Sequence, residues 1–205
     1  MIVTDIKPQA KNSKRVNLYL DGKFYCGLEL FTIMKHRVKI GNDYTANEII
    51  DIQIAEEEGV CLNYALNLLS KSVKTEKEII AKLKKRGYVS EIIDNVIFKL
   101  KDYGYVNDEE FAEKYINSYS KNKGKRLLKS ELKLKGVSDA IIEDKFLSVE
   151  NELETAIKIA EKYVKNKPVD IKTKQKCYKY LLSKGFSYDD SKTAVDKVLS
   201  LDDEF

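Results

Sequence analysis

The chain has 205 residues, of which 43% are hydrophobic and 34% charged, so it has enough apolar side chains for a folded core and is not an intrinsically disordered protein. Only two prolines and nine glycines interrupt it, which favours long solvated helices, and the net charge of +4 permits an anionic partner without requiring one. No apolar run reaches the roughly 20 residues of a membrane span, no signal peptide is recognisable, and three scattered cysteines are typical of a reducing compartment, so we expect a cytoplasmic protein with no membrane partner.

Residues 1–58 are predicted to form a small α+β module with a β-hairpin. Apolar and polar residues alternate in the segment 13–28, and Asp21-Gly22 in its middle supplies a two-residue turn. Residues 1–7 can add a third strand beside the hairpin. Two helices are predicted to follow, from Leu30 to Arg37 and from the capping box of Thr45 to Glu57.

A repeat of 49 residues organises the rest of the chain. Three segments align without gaps on Gly87, Gly136 and Gly185, which are 49 residues apart. Apolar residues recur at fixed distances from these glycines, four before, one after and ten after. They are Leu83, Leu132 and Leu181, then Tyr88, Val137 and Phe186, then Ile97, Phe146 and Val195. Two equal spacings with matching apolar positions indicate a tandem repeat.

Each repeat is predicted to contain three short helices. In the first repeat, the apolar patch 65–69 belongs to the first helix, and Thr75 and Glu78 have the spacing of a capping box that begins the second. Gly87 ends that middle helix, because glycine adopts the left-handed conformation without a steric penalty. Ser90 is a candidate cap for the third helix.

The sequence therefore predicts a mainly α protein with three tandem three-helix repeats after the α+β module. The predicted boundaries are 59–104, 105–150 and 151–205, the last including a short acidic tail. Since each repeat buries its core partly against its neighbours, we expect an elongated array. No coiled-coil heptads are visible, and we expect a monomer.

Basic residues concentrate around the middle helix of each repeat. Residues 71–86 contain seven Lys/Arg against two Glu, 121–135 seven against one, and 158–184 nine Lys against two acids, whereas residues 1–60 are close to neutral. The third helix of each repeat is more acidic. A basic stripe of this kind can follow a phosphate backbone or an acidic protein surface. An ordinary solvated helix face is the alternative interpretation.

No catalytic, metal or cofactor site can be recognised. His36 is the only histidine and lies in a polar stretch, so a surface position is the simplest interpretation. The nine glycines are isolated at turns and form no phosphate-binding loop. We therefore expect a protein that is not an enzyme and needs no cofactor, although acidic residues are numerous enough that a nuclease stays a remote alternative.

Several segments resemble the RecX family over residues 60–200. They are Lys74–Ile79 with Leu83–Tyr88, then Gly104–Ala112, which contains Gly-Tyr-Val-Asn-Asp followed by Phe-Ala, and then Gly124–Val137. The N-terminal module resembles the extension of longer members from Gram-positive bacteria. Lys74-Thr75 stands where the family commonly has Arg-Ser, which keeps a cation and a cap but loses bidentate Arg contacts.

The resemblance implies binding in the groove of the RecA nucleoprotein filament, with inhibition of ATP hydrolysis and strand exchange. The residues predicted to contact RecA or DNA are Lys84, Lys85, Arg86, Lys123, Lys125, Arg126, Lys133, Lys135 and Lys184. Direct binding of single-stranded DNA is the first alternative, with Tyr103 and Tyr105 as residues that could stack on bases. A helical adaptor for another protein is the second.

Overall fold

The computed structural model describes residues 1–10, 12–147 and 152–199. The predicted acidic tail lies outside these residues. The chain divides into two compact units, one formed by 1–72 with 80–105 and the other by 73–79 with 106–205. The unit that contains the N-terminus is called the first unit below, and the other is called the second unit.

The first unit begins with a three-stranded antiparallel sheet in the order β1-β2-β3. The strands are β1 (Val3–Gln9), β2 (Asn12–Leu20) and β3 (Lys23–Glu29). At the hairpin between β2 and β3, Asp21 and Gly22 have φ values of 47° and 78°. Positive φ at both positions is what a type I′ turn requires, so the predicted hairpin and its turn are confirmed.

Ten helices follow in the described part of the chain. They are α1 (Leu30–Lys35), α2 (Ala46–Lys71), α3 (Glu76–Arg86), α4 (Ser90–Asp102), α5 (Asp108–Tyr119), α6 (Lys125–Lys135), α7 (Asp139–Leu147), α8 (Glu152–Val164), α9 (Ile171–Ser183) and α10 (Tyr188–Val198). None of these helices is long and apolar enough to cross a membrane.

Helix α2 is longer than predicted. The capping box at Thr45 is present, but the helix does not end at Glu57 and continues through Gly59 to Lys71. A glycine inside a helix costs about 1 kcal/mol relative to alanine, and burial on both sides of it outweighs that cost. Ile49 packs in the core of the sheet, and Cys61 is fully buried in the part of α2 that belongs to the first three-helix repeat.

The middle helices of the three repeats, α3, α6 and α9, end in the same geometry. Gly87, Gly136 and Gly185 follow them with φ values of 98°, 96° and 90°. The leucine four residues before each glycine is fully buried. The predicted left-handed glycine ends and the predicted repeat core are therefore confirmed.

The caps of the third helices differ between the repeats. The prediction that Ser90 caps α4 is wrong, because Ser90 is the first residue of the helix. The cap position is occupied by Val89, whose side chain forms no hydrogen bond. The corresponding residue of α10 is Ser187, whose hydroxyl accepts a hydrogen bond from the backbone N–H of Asp190. The first repeat therefore has an apolar residue where the third has a cap.

Candidate functional site

The acidic third helices neutralise part of the positive charge of the middle helices in the second unit. Lys129 of α6 pairs with Glu143 at 2.5 Å, and Lys133 pairs with Asp139 at 2.9 Å. Lys174 of α9 pairs with Asp196 of α10 at 2.8 Å. The basic stripe is thus interrupted by the protein's own carboxylates.

Lys123 belongs to a half-buried cluster between α5 and α6 of the second repeat. Its ammonium lies 2.6 Å from Glu131 and 4.6 Å from the ring centroid of Tyr119. The Tyr115 hydroxyl donates to the same carboxylate at 2.9 Å. Burial raises the pKa of Glu131, but the hydrogen bonds from Lys123 and Tyr115 outweigh it and the pKa is lowered overall. Burial and the bond to Glu131 raise the pKa of Tyr115 to about 12.

The carbonyl end of α6 receives the residues that begin α3. The Thr75 hydroxyl donates to the carbonyl of Lys135 at 2.6 Å, and the Lys135 ammonium pairs with Glu78 at 2.8 Å. Thr75 is fully buried and keeps its predicted capping box with Glu78. A Cβ added to Gly136 would lie 2.4 Å from Lys77, so the two segments are in close contact.

The carbonyl end of α9 receives the start of α6 in the same way. The backbone N–H of Gly124 donates to the carbonyl of Lys184 at 2.9 Å, and that of Arg126 donates to the carbonyl of Gly185 at 3.1 Å. A Cβ on Gly185 would lie 2.3 Å from Leu127. Gly124 is 49 residues after Thr75, so both contacts follow the repeat.

Three predicted contact residues surround this second contact. Lys125 is half-buried and borders a cavity of about 100 Å³, where its backbone N–H donates to Glu152 at 2.8 Å. Arg126 is exposed and lies 5.4 Å from the ring centroid of Tyr188, and Lys184 lies 5.3 Å from that of Tyr180. The cations of Arg126 and Lys184 therefore lie against aromatic rings of the protein itself.

The carbonyl end of α3, in the first unit, is different. Lys84, Lys85 and Arg86 form the last turn of the helix and are all exposed. Within the described residues, Lys84 and Lys85 form no ion pair, and Arg86 lies 4.5 Å from the ring centroid of Tyr64. We call these three residues the α3 basic cluster. It is the densest group of exposed, unneutralised charge among the nine predicted residues.

The nine predicted residues therefore do not form one uniform stripe. The structure brings Lys125, Arg126 and Lys184 together at one helix contact, whereas Lys123, Lys133 and Lys135 each have an acidic partner. The α3 basic cluster lies in the first unit. The sequence analysis did not identify Thr75 and Gly124 as residues that contact the end of another helix. Their equivalent positions, 49 residues apart in the repeat, were a signal that could have indicated this.

The described residues contain no cluster of three or more His, Cys, Asp or Glu side chains that could hold a metal ion. Cys26, Cys61 and Cys177 are free and buried. Burial raises the pKa of all three thiols, that of Cys61 to about 11, so they are protonated and poor nucleophiles at neutral pH. His36 is not a simple surface residue, because it is half-buried and its Nε2 is buried without a hydrogen bond in the described structure.

Exposed aromatic side chains lie near the end of α4. Tyr103 and Tyr105 are 63% and 56% exposed, and their rings meet edge to face with centroids 6.4 Å apart. Phe98 is 72% exposed. These rings are available for stacking, unlike Tyr88, which is half-buried at its core position.

Four family models match the chain, all from one family. The regulatory protein RecX N-terminal domain matches residues 1–44, and the first, second and third RecX three-helix domains match residues 61–105, 107–145 and 150–195.

Curated relatives and solved structures agree with these matches. Regulatory protein RecX of Clostridium tetani is 35% identical over 98% of this chain and 95% of its own length, and that of Bacillus subtilis is 35% identical over 98% of this chain and 79% of its own. A crystal structure of regulatory protein RecX superposes with a TM-score of 0.72 at 25% identity, covering 97% of this chain and 98% of that chain. The crystal structure of RecX from Lactobacillus salivarius superposes with a TM-score of 0.65 at 31% identity, covering 70% of this chain and 97% of that chain.

Proposed function

The chain belongs to the RecX family, and from this premise we propose that it is a non-enzymatic regulator that binds the RecA filament on single-stranded DNA. Binding lowers the rates of ATP hydrolysis and strand exchange. The single observation that carries the proposal is the α3 basic cluster, three exposed cations in one helical turn with no carboxylate partner among the described residues. Such a cluster suits an acidic protein surface or a phosphate backbone.

The arrangement also supports a regulator more than an enzyme. The described cysteines are buried and protonated, and several carboxylates of the second unit pair with lysines, among them Glu78, Glu131, Asp139 and Glu143. Repeated modules can add several modest contacts along a helical filament, because linked contacts bind with a high effective concentration. We also propose that the protein acts as a monomer.

The test is the rate of DNA-dependent ATP hydrolysis by the cognate RecA with this protein added far below the RecA concentration. A strong drop is expected, since too few molecules are present to cover the DNA. The variant K84E/K85E/R86E should lose most of this inhibition. The matched control is K14E/K23E/K39E, which makes the same charge change at exposed residues of the N-terminal module. No inhibition at any ratio, or equal inhibition by both variants, would contradict the proposal.

Direct binding of single-stranded DNA is a second candidate, and the exposed pair Tyr103 and Tyr105 favours it. Stacking of a base on an aromatic side chain contributes about 1–3 kcal/mol. If this candidate is correct, inhibition should appear only when enough protein is present to cover the DNA. Affinity for bare single strands should then fall steeply with salt, and Y103A/Y105A should weaken it.

A further inference from the structure

The repeat produces three equivalent helix ends, which we call sockets. Each socket consists of the left-handed glycine after a middle helix and the residue before that glycine, whose backbone carbonyl has no partner within the helix. Socket 1 is Arg86-Gly87, socket 2 is Lys135-Gly136 and socket 3 is Lys184-Gly185. The carbonyls at the end of a helix lack helical partners and carry partial negative charge, so each socket favours hydrogen-bond donors and the positive end of another helix.

Two of the sockets are filled, and their occupants have a common form. Socket 2 holds the first turn of α3, where the Thr75 hydroxyl donates to the carbonyl of Lys135. Socket 3 holds the first turn of α6, where the Gly124 N–H donates to the carbonyl of Lys184. The occupant is in each case the N-terminal turn of a helix that begins with a small residue.

The filled socket 2 also shows how the cation at the helix end is satisfied. Glu78 in the first turn of α3 pairs with Lys135, the residue whose carbonyl accepts the Thr75 hydroxyl. In socket 2, an acidic residue in the entering turn therefore meets the basic residue before the glycine, whereas the first turn of α6 in socket 3 has no acidic residue. Arg86 occupies the same position in socket 1.

Socket 1 is open. A Cβ added to Gly87 would meet no atom within 4 Å in the part of the chain that the structure describes, whereas at Gly136 and Gly185 it would meet one at 2.4 and 2.3 Å. Gly87 is exposed, Gly136 half-buried and Gly185 buried. Beside the open socket, Val89 is 58% exposed at the position where the other repeats have Ser138 and Ser187.

We propose that socket 1 receives the N-terminal turn of a helix on the partner protein, one that begins with Ser, Thr or Gly and has Asp or Glu in its first turn. The acid would face the α3 basic cluster as Glu78 faces Lys135, and an apolar side chain would cover Val89. This inference rests on the proposed function, and it adds that the first unit binds the N-terminal turn of a helix in the RecA filament.

A second copy of this chain is a poor occupant. Among the described residues, the middle helix whose start fills none of the three sockets is α9, which begins with Asp170 as its cap rather than with a small residue such as Thr75 or Gly124. Lys172 in its first turn would add positive charge to the three cations of the α3 basic cluster, whereas socket 3, whose occupant also lacks an acid in its first turn, presents only Lys184. Charge complementarity therefore favours an acidic helix start on a different protein.

The test is Gly87→Asn, which places a side chain in the open socket. Asn adopts the left-handed conformation more readily than other non-glycine residues, so the fold should persist. The matched control is Gly41→Asn, at an exposed glycine with φ 89° and no atom within 4 Å of an added Cβ. Equal melting temperatures of the two variants would show that their folding costs match.

Affinity for the cognate RecA filament on single-stranded DNA should fall by about ten-fold or more for Gly87→Asn and stay near wild type for Gly41→Asn. Filament binding by the wild type with no loss in Gly87→Asn would overturn the socket inference and leave the proposed function standing. Absence of binding by the wild type would overturn both. As a second measurement, a photocrosslinker at Val89 should react with an acidic helix start of RecA, and crosslinks only to DNA or to another copy would contradict the assignment.

Discussion

The same helix end has two different surroundings in this molecule. At Gly136 and Gly185, in the second unit, another helix start fills the space beside the glycine, whereas at Gly87, in the first unit, that space is open. The backbone conformation is nearly identical at all three glycines. Glycine is thus needed at Gly87 only for its conformation, but at the other two positions also because no side chain would fit.

The basic residues show the same contrast. At socket 2 the lysine before the glycine has an acidic partner, Glu78, and at socket 1 the cations of the α3 basic cluster face solvent. A repeated sequence therefore produces structural cations where a neighbouring helix is present and free cations where it is absent. Three predictions test this contrast, beginning with the largest effect.

The largest effect is expected for Gly185→Ala compared with Gly87→Ala. Both substitutions place a Cβ in the left-handed region, which costs roughly 1–2 kcal/mol. At Gly185 the new Cβ would also lie 2.3 Å from the Cβ of Leu127 and 2.4 Å from its backbone nitrogen. We expect Gly185→Ala to lower the free energy of unfolding by about 3 kcal/mol or more, and Gly87→Ala by about 1 kcal/mol. Urea unfolding measures both, and equal losses would refute the contrast between filled and open sockets.

A smaller effect is expected for Thr75→Val compared with Thr45→Val. Both threonines form a capping box, with Glu78 and Glu48, but only Thr75 also donates to a distant carbonyl, that of Lys135. Loss of the cap alone should cost about 1 kcal/mol. Loss of the buried bond as well should bring the cost at Thr75 to about 2–3 kcal/mol. Chemical denaturation measures the free energy of unfolding of both variants. Similar losses of stability in the two would mean that the contact in socket 2 contributes nothing.

The smallest effect concerns the acid dependence of socket 2. Burial raises the pKa of Glu78, but the bond to Lys135 and other interactions outweigh it, so its pKa in the folded state lies below the ordinary value. The unfolded state then binds more protons, and the contribution of Glu78 to stability is present above its ordinary pKa and is lost as the pH falls through the lowered one.

Glu78→Gln should therefore reduce the loss of stability on acidification below about pH 4.5. Glu48→Gln is a poor control because that pKa is lowered too, through bonds to Thr45. Exposed Glu91→Gln, for which no such bond is present in the described structure, serves instead. The measurement is the free energy of unfolding across this pH range. If its pH dependence were the same in both variants as in the wild type, the ion pair of Glu78 would not contribute to stability.

Part of the candidate site could be predicted from sequence, since charge density and the position of each cation in the repeat are properties of the chain itself. The α3 basic cluster was identified in this way. The ion pairs of Lys123 and Lys133 were not predicted, because no local rule indicates which acidic helix will face which basic one. His36 was misplaced for a similar reason, since its neighbours in the chain are polar but its neighbours in space bury one ring nitrogen.

The sequence by itself determined the local structure of this protein. The hairpin turn at Asp21-Gly22, the capping boxes and the left-handed glycines depend on a few adjacent residues, and the 49-residue spacing determined where they recur. Tertiary structure alone decided that α2 continues past Gly59, that sockets 2 and 3 are filled and that socket 1 is open. These features depend on contacts between residues far apart in the chain, such as Thr75 and Lys135, whose energies no short segment contains.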